Sequence, residues 1–429
     1  MPVQGPCFPW DGLGHNVPHR CHRMNHSLLS DLRIIEFSAF VAAPSAGLAL
    51  AQLGAEVIRV DPRGGNIDVQ RLPLNAEGRS LYWASLNRGK RSVELDVRSA
   101  EGRALLQRLI VAPGEGPPVF LTNLAVDGEL SYAALSTLRP DLIMVQLTGS
   151  PDGSSAVDYT VNCAAGFPGI TGSGRDGPVN HVLPAWDVAA GQMLALAVLA
   201  AERHWRLTGQ GQHVKLALSD VAMATVANLG YLADVELNGT QRRADGNFLY
   251  GAYGDSFDCA DGRQAMVVAI TERQWNALLR ATGLQDALPA AAAALGLTLD
   301  DEAARYAARG LISTALRPWF AARTLAEVSA AFNDRALLWG PYRSFAQMLA
   351  EDPRCSEANP MFQRTEHPGV GRFLTATSPL HFSALARPAP GLAPSLGQHT
   401  RAVLQQCLGL DGPALAALQA AGTIAATKD

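Results

Sequence analysis

Arg33-Ile-Ile-Glu-Phe-Ser-Ala-Phe-Val-Ala-Ala-Pro-Ser-Ala-Gly-Leu-Ala-Leu-Ala-Gln-Leu-Gly-Ala-Glu-Val-Ile-Arg-Val60 carries the pattern that sets the fold class. Arg33–Phe37 is short and apolar, the length of a buried strand. A turn follows at Ala43-Pro44, and Gly47–Leu53 has the small and aliphatic residues of a helix that Gly54 ends. Val57–Val60 is the next strand, closed by Asp61-Pro62 and the turn at Gly64-Gly65. Strand, helix and strand in this order require a parallel pair with a right-handed crossover. The pattern continues with a helix over Gly102–Val111 and buried strands at Val119–Thr122 and Leu142–Leu147. The first half is therefore predicted to be an open, doubly wound α/β domain.

Beyond it, Val188–Arg206 reads as a helix stopped by Thr208-Gly209, Val214–Leu218 as a strand and Asp220–Leu232 as a further helix. After Asn238-Gly239 the composition turns to Gly, Asp and Arg, as in a linker. Ala265–Ala269 is predicted as a strand, with helices near Gln274–Thr282 and Asp301–Arg317. From about Trp339 the chain is expected to return to the first domain and end in helices near Arg401–Leu408 and Ala414–Ala420. The expected division is an N-terminal extension (1–26), a first part of the large domain (27–220), a linker (221–243), a small domain (244–335) and a C-terminal part of the large domain (336–429).

A chain of 429 residues, 48% apolar and 17% charged, can bury a large core without staples. Its net charge of −4 gives no basic field for nucleic acid. The longest apolar runs, such as Met193–Ala201, are interrupted short of a membrane span. Cys163, Cys259, Cys355 and Cys407 show no CxxC spacing, which suits a reduced, cytoplasmic setting. Residues 1–26 differ from the rest, with His15, His19, His22 and His26 beside Cys7 and Cys21 and no periodicity or signal-peptide pattern. Such a tract suits a metal site or a disordered extension upstream of a natural start at Met24, and the second is the expectation carried forward. No resident metal is expected elsewhere.

Three motifs invite chemistry. Gly172-Ser-Gly-Arg-Asp-Gly177 matches GxGxxG, but Pro178 follows and the chain runs on extended, so the strand-to-helix context of a dinucleotide site is missing. Ala43-Pro-Ser-Ala-Gly47 nearly matches a nucleophile elbow, with Ala where the first Gly should permit the strained turn. His181, His367 and His399 are the available bases, without a visible triad. In the third, Asn180-His-Val-Leu-Pro-Ala-Trp-Asp187, the acid stands where a helix begins. Asp there is a favoured N-cap. Equally, a carboxylate at a helix N-terminus is held ionised by the dipole and the free N–H groups, as a nucleophile requires.

From about Leu32 onward the chain resembles the family III CoA-transferases. Its markers stand in order: Phe37–Pro44, Leu53–Ile58, Asn87-Arg-Gly-Lys-Arg-Ser92 leading into Leu95-Asp96, Asn123, Asp158, Asp187, Thr208–Gln212, Gly246-Asn247 and Leu396-Gly-Gln-His-Thr400. The resemblance implies a Rossmann-like large domain built from both chain ends, with a smaller α+β domain inserted between them. It also implies a homodimer of interlocked chains. It places CoA near Val41 and Ala42 at the thioester end, with Arg63 and Arg91 toward the phosphates and Asn123 beside them. Asn87, Arg88 and Lys90 belong to the same cationic cluster, and the Gly64-Gly65 turn would let backbone approach a phosphate. Each of these cations also reads as a solvated surface charge. Glu129, Leu130 and Ser131 stand where formyl-CoA transferase carries an Arg, so the CoA site is not copied in full.

The family's catalytic carboxylate falls on Asp187. It would attack an acyl-CoA thioester, exchange acyl for CoA and pass the CoA to a carboxylate, with no cofactor beyond the CoA of the substrate. Donors to the oxyanions are expected from the start of the Asp187 helix, from near Ala42 and from the glycines around Tyr250-Gly251. Racemases of the family carry His immediately before the Asp158 position. Here Val157 stands there and moves no proton. Val157–Asn162, Val179–Asp187, Gly246–Ala252 and Phe37–Pro44 resemble the branch that moves CoA between the C1 and C4 carboxyls of mesaconate. Transfer between separate dicarboxylates, such as succinyl-CoA to mesaconate or citramalate, uses the same Asp. His181, Tyr250 and Gly251, together with Asn180 and Arg71, are candidates to hold the free carboxylate.

Overall fold

The structure is a computed structural model that describes residues 28–175, 177–332 and 336–425. The expectations for residues 1–26 lie outside the described residues. Six strands form one fully parallel sheet: β1 (Arg33–Phe37), β2 (Glu56–Pro62), β3 (Arg91–Leu95), β4 (Val119–Thr122), β5 (Ile143–Thr148) and β6 (Gln212–Ala217). Their order is β3-β2-β1-β4-β5-β6, the doubly wound arrangement.

Alternation along each strand sorts the side chains into two layers. Ile34, Val57, Val119, Leu121, Ile143 and Val145 face one core, covered by α1 (Ala42–Gln52), α7 (Ala185–Thr208) and the helix Leu218–Asn228. Ile35, Ile58, Val60, Phe120 and Met144 face the other. That second core is closed by Leu105, Leu106 and Leu109 of α3 (Ala100–Ile110) and by Val403, Leu404, Leu415 and Leu418 from the C-terminal helices Thr400–Leu408 and Gly412–Ala420. The large domain is thus built from segments at both ends of the chain. Three further helices lie between these elements: α2 (Leu81–Leu86), α4 (Tyr132–Leu138) and α5 (Asp158–Ala164), with the short α6 (Phe167–Ile170) after them.

Between the two ends sits a smaller α+β region with its own core around Phe257, Trp275, Leu316 and Phe320. Its antiparallel sheet joins β7 (Tyr253–Asp258), β8 (Gln264–Ala269) and β9 (Leu338–Pro341). Because β9 pairs with β8, this sheet draws on chain beyond residue 335, where the sequence places the return to the large domain. A hairpin of β10 (Phe362–His367) and β11 (Gly371–Ala376) follows.

Two helix starts differ from the sequence reading. α1 begins at Ala42, with Pro44 in its first turn, where a missing N–H costs nothing. α7 begins at Ala185, so Asp187 lies inside the first turn rather than capping it. The predicted Asp220–Leu232 helix is two helices, broken at Gly230, whose φ is +82°. By length and composition α7 is also apolar enough to cross a membrane, at 24 residues and a mean hydropathy of 1.2. Here its face of Trp186, Ala190, Leu194, Val198 and Ala201 packs into the core.

α1 and α7 approach so closely that a glycine is required at position 191. A Cβ at Gly191 would stand 2.8 Å from the Ala42 carbonyl and closer still to Ser45 Oγ. Gly191→Ala should therefore push the helices apart and cost roughly 1–3 kcal/mol of stability. A urea or thermal unfolding midpoint equal to wild type would show that this contact yields freely.

Candidate active site

The strand order reverses between β1 and β4, so the loops leaving these two strands diverge and open a crevice at their carboxyl ends. A cavity of about 660 Å³ occupies that place. Phe40 and Val41, after β1, form one wall, and Asn123, after β4, the next. Val157, Asp158, Asp187, Arg71 and Tyr82 also line it. Asn123 ties the two diverging loops together: its Oδ1 accepts the Ala39 N–H at 2.9 Å and its Nδ2 donates to the Ala39 carbonyl at 2.8 Å.

Asp187 owes its place to a carboxylate distant in sequence. α7 has Pro184 before it and no side-chain cap of its own. Asp158, at the start of α5, accepts the Trp186 N–H at 2.7 Å and the Asp187 N–H at 3.1 Å through one oxygen. Asn162, one turn along α5, accepts from the Trp186 indole at 3.1 Å. Trp186 is buried between them, and the Asp187 carboxylate is left on the cavity side.

This cap overturns one sequence expectation. The N–H groups that were to hold Asp187 ionised are spent on Asp158, and the capping carboxylate adds its own repulsion. Burial first, then Asp158, push the Asp187 pKa up to about 6, with Arg71 pulling it back. At pH 7 the group still remains roughly nine-tenths ionised. The Arg71 guanidinium lies 5.7 Å from the Phe40 ring centroid and 5.2 Å from that of Tyr82. The Tyr82 hydroxyl is closed off from solvent and makes no hydrogen bond of good geometry. Burial raises its pKa, and Arg71 opposes that rise. Among the described residues Arg71 is the only cation lining the cavity.

The sequence matches CoA-transferase family III over residues 29–400. The chain belongs to this family. It is 51% identical over 400 residues to the 2-methylfumaryl-CoA isomerase of Chloroflexus aurantiacus, covering 93% of this chain and 98% of that one. With the succinyl-CoA–D-citramalate CoA-transferase of the same organism it shares 28% over 403 residues, or 91% and 97% of the two chains. A CAIB/BAIF family protein from Brucella suis superposes with a TM-score of 0.74 at 25% identity, over 89% of this chain and 99% of that one.

Of the residues that the family resemblance points to, Val41, Asn123 and Asp187 line the cavity. Ala42 is buried at the first position of α1. Asn87 and Lys90 are buried and used internally. The Lys90 ammonium binds Glu36, the Pro44 carbonyl and Asn87, and burial lowers its pKa to about 8. Arg91 pairs with Glu56 and Gln406 at the opposite end of the sheet. Arg88 lines a separate cavity beside Leu53 and Arg387. Arg63 donates to the Gly422 carbonyl, and the Gly64 and Gly65 N–H groups go to Glu94 and the Pro62 carbonyl. Of the cluster expected to meet phosphates, Asn87 and Lys90 are thus spent on internal contacts, and none of its members lines the cavity that holds Asp187.

His181 does not line the cavity. Its Nδ1 contacts the Leu183 carbonyl and its ring meets Trp186 edge-on. Tyr250 packs under Arg242 at 4.0 Å and against Tyr306, and neither it nor Gly251 lines the cavity. Ser45 Oγ donates to the Ala42 carbonyl beside Gly191, which leaves the elbow reading without a nucleophile. Gly172–Gly177 joins no strand to a helix. No cluster of three metal-ligating side chains occurs among the described residues. What the sequence reading missed is the capping of α7 by Asp158 and the place of Tyr82 in the cavity wall beside Arg71. Asp158 carried a signal as a family marker, while Tyr82 carried none.

Because the charged form of Asp187 is disfavoured by folding, Asp187→Asn should raise the melting temperature at pH 7. The sign follows from the raised pKa: wild type takes up the proton as pH falls through about 6 and sheds the same penalty. The difference between the two proteins should therefore shrink at pH 5. A lower melting temperature for Asp187→Asn at pH 7 would overturn this account of the site.

Proposed function

We propose that this chain moves CoA between the two carboxyls of one dicarboxylate, converting mesaconyl-C1-CoA to mesaconyl-C4-CoA, with Asp187 as the nucleophile. The observation that carries the reading is the cavity at the strand reversal, in which the half-buried Asp187 carboxylate and one guanidinium, Arg71, share the walls. The likeness to a 2-methylfumaryl-CoA isomerase over nearly the whole chain supports the same substrate.

An Asp187 oxygen attacks the C1 thioester carbonyl and expels CoA thiolate, leaving a mixed anhydride. The thiolate attacks the Asp187 carbonyl of that anhydride, forming an aspartyl-CoA thioester and freeing the C1 carboxylate. The C4 carboxylate then attacks the aspartyl thioester and again releases thiolate. Attack of the thiolate on the C4 acyl carbon completes the product and restores Asp187. Each tetrahedral oxyanion needs donors, and the α7 N–H groups are already taken by Asp158. The first N–H groups of α1, which have no partner within the helix, are the donors we assign. Arg71 holds the carboxylate that is not reacting. CoA enters past Val41 and Asn123. Val157 lines the same cavity and exchanges no proton, which speaks against α-carbon racemisation.

Two chains are proposed to interlock as a homodimer working in the cytoplasm, without a membrane or nucleic acid partner. Large apolar side chains stand exposed at Leu196 of α7 and at Leu229, Val235 and Leu237, and a second chain covers them. Sedimentation should give twice the 45.4 kDa chain mass, and a monomer at micromolar concentration would reject the dimer.

Purified protein given mesaconyl-C1-CoA alone should yield the C4 isomer on chromatography without incorporating labelled free mesaconate. Asp187→Ala should abolish this, and Arg71→Leu should raise KM at least about tenfold, the loss of one charge-assisted contact. Conversion only when a second dicarboxylate is added would assign the chain to intermolecular transfer. Full activity in Asp187→Ala would refute the mechanism.

A further inference from the structure

The turn that forms the cavity wall after β1 is held against its own preference. Phe40 has φ of +63°, and among the described residues no other residue except glycine has a positive φ. For a residue with a Cβ that conformation is disfavoured about tenfold or more. A strained residue persists only where its surroundings over-determine it.

Here they do. The Phe40 N–H donates to Asp68 Oδ2 at 3.2 Å. Ala39 is gripped at both its N–H and its carbonyl by Asn123. The Ser38 carbonyl accepts from Arg59 Nη2 at 3.0 Å and from Asn66 Nδ2 at 3.1 Å. Arg59 Nη2 also donates to Asp68 at 3.1 Å and to Asp61 at 2.9 Å, which braces the carboxylate that holds Phe40. Arg59, Asp61 and Asp68 are each at most 1% exposed, and none of them lines the cavity. Phe40 does line it, with the Arg71 guanidinium lying over its ring.

We propose that Asp68, braced by Arg59, is a positioning residue. It holds Phe40 in the left-handed conformation, and the Phe40 ring in turn fixes Arg71 where the free carboxylate of the substrate binds. The inference rests on the reading of Arg71 given above and adds the part that sets its place. Released from Asp68, Phe40 relaxes to an ordinary conformation, its ring leaves the guanidinium, and the carboxylate site loosens.

The test is a double-mutant cycle of Asp68→Ala and Phe40→Gly in the full chain, read as the Kd of free mesaconate by calorimetry, with melting temperatures alongside. Asp68→Ala should weaken binding about tenfold, matching the conformational preference it releases. In the Phe40→Gly background, where no strain remains to be held, the same change should cost less than about twofold. Asp68→Asn, which keeps an oxygen for the Phe40 N–H, should recover most of the affinity. Equal losses in both backgrounds, or a lower melting temperature with unchanged Kd, would overturn the proposal. Because the readout is binding, an intact cycle in a protein that fails to isomerise mesaconyl-CoA would refute only the parent reading.

Discussion

The carboxylate of Asp158, seated on the first N–H groups of α7, is the interaction on which the site depends. A helix that starts after proline with no side-chain cap leaves its initial donors unsatisfied, and in a buried setting that is costly. Asp158 satisfies two of them from another helix. The consequences follow in order. α7 begins at a fixed height, Trp186 is locked against Asn162, and the third residue of the helix presents its carboxylate to the cavity. The same cap brings a second negative group close to Asp187 and so raises its proton affinity. The contact that fixes the position of Asp187 therefore also adds to the effect of burial on its proton affinity.

A second constraint lies beneath the sheet's carboxyl end. Glu36, Arg59 and Asp61 are strand residues, and strands covered on both faces are normally apolar. They persist because each is paired: Lys90 with Glu36, and Arg59 with Asp61 and Asp68. Breaking one partner of such a set leaves an uncompensated buried charge, which is among the costliest single defects. This explains why Gly47 carries no side chain, since α1 crosses directly over Glu36 and a Cβ would collide with its carboxylate. It also explains the Asn87–Lys90 motif. Lys90 and Asn87 tie the start of β3 to Glu36 of β1 and to α1, while Arg88 lines a separate cavity.

Much of the fold was legible in local sequence. β1 and β4 fall where their apolar runs predict, and the termination of α7 at Gly209 follows from a glycine in the left-handed conformation. The breaks were less legible. Gly230 splits one predicted helix into two, since the apolar residues on either side continue the same periodicity. β9 reads locally as a few residues near Trp339, and only its pairing with β8 places it in the smaller sheet. Pro44, read as a turn, lies inside a helix because the first helical turn asks nothing of its nitrogen.

The sequence by itself determined the parallel α/β architecture and the family, and it singled out Asp187 as the candidate carboxylate. Those rest on periodicities and on ordered motifs, which survive in one dimension. Only the tertiary structure decided which polar residues face the cavity and which brace it. Lys90 and Arg71 look alike in sequence, one in a motif rich in cations and one in an undistinguished loop. Lys90 is buried on Glu36, and Arg71 lines the cavity beside Asp187. The reason is that a charge takes its role from the partners that fold around it, and those partners come from strands and helices far apart in the chain. The strain at Phe40 has the same origin. No local pattern calls for a left-handed phenylalanine, and it exists because Asp68, brought there by β2 and the loop after it, holds its N–H.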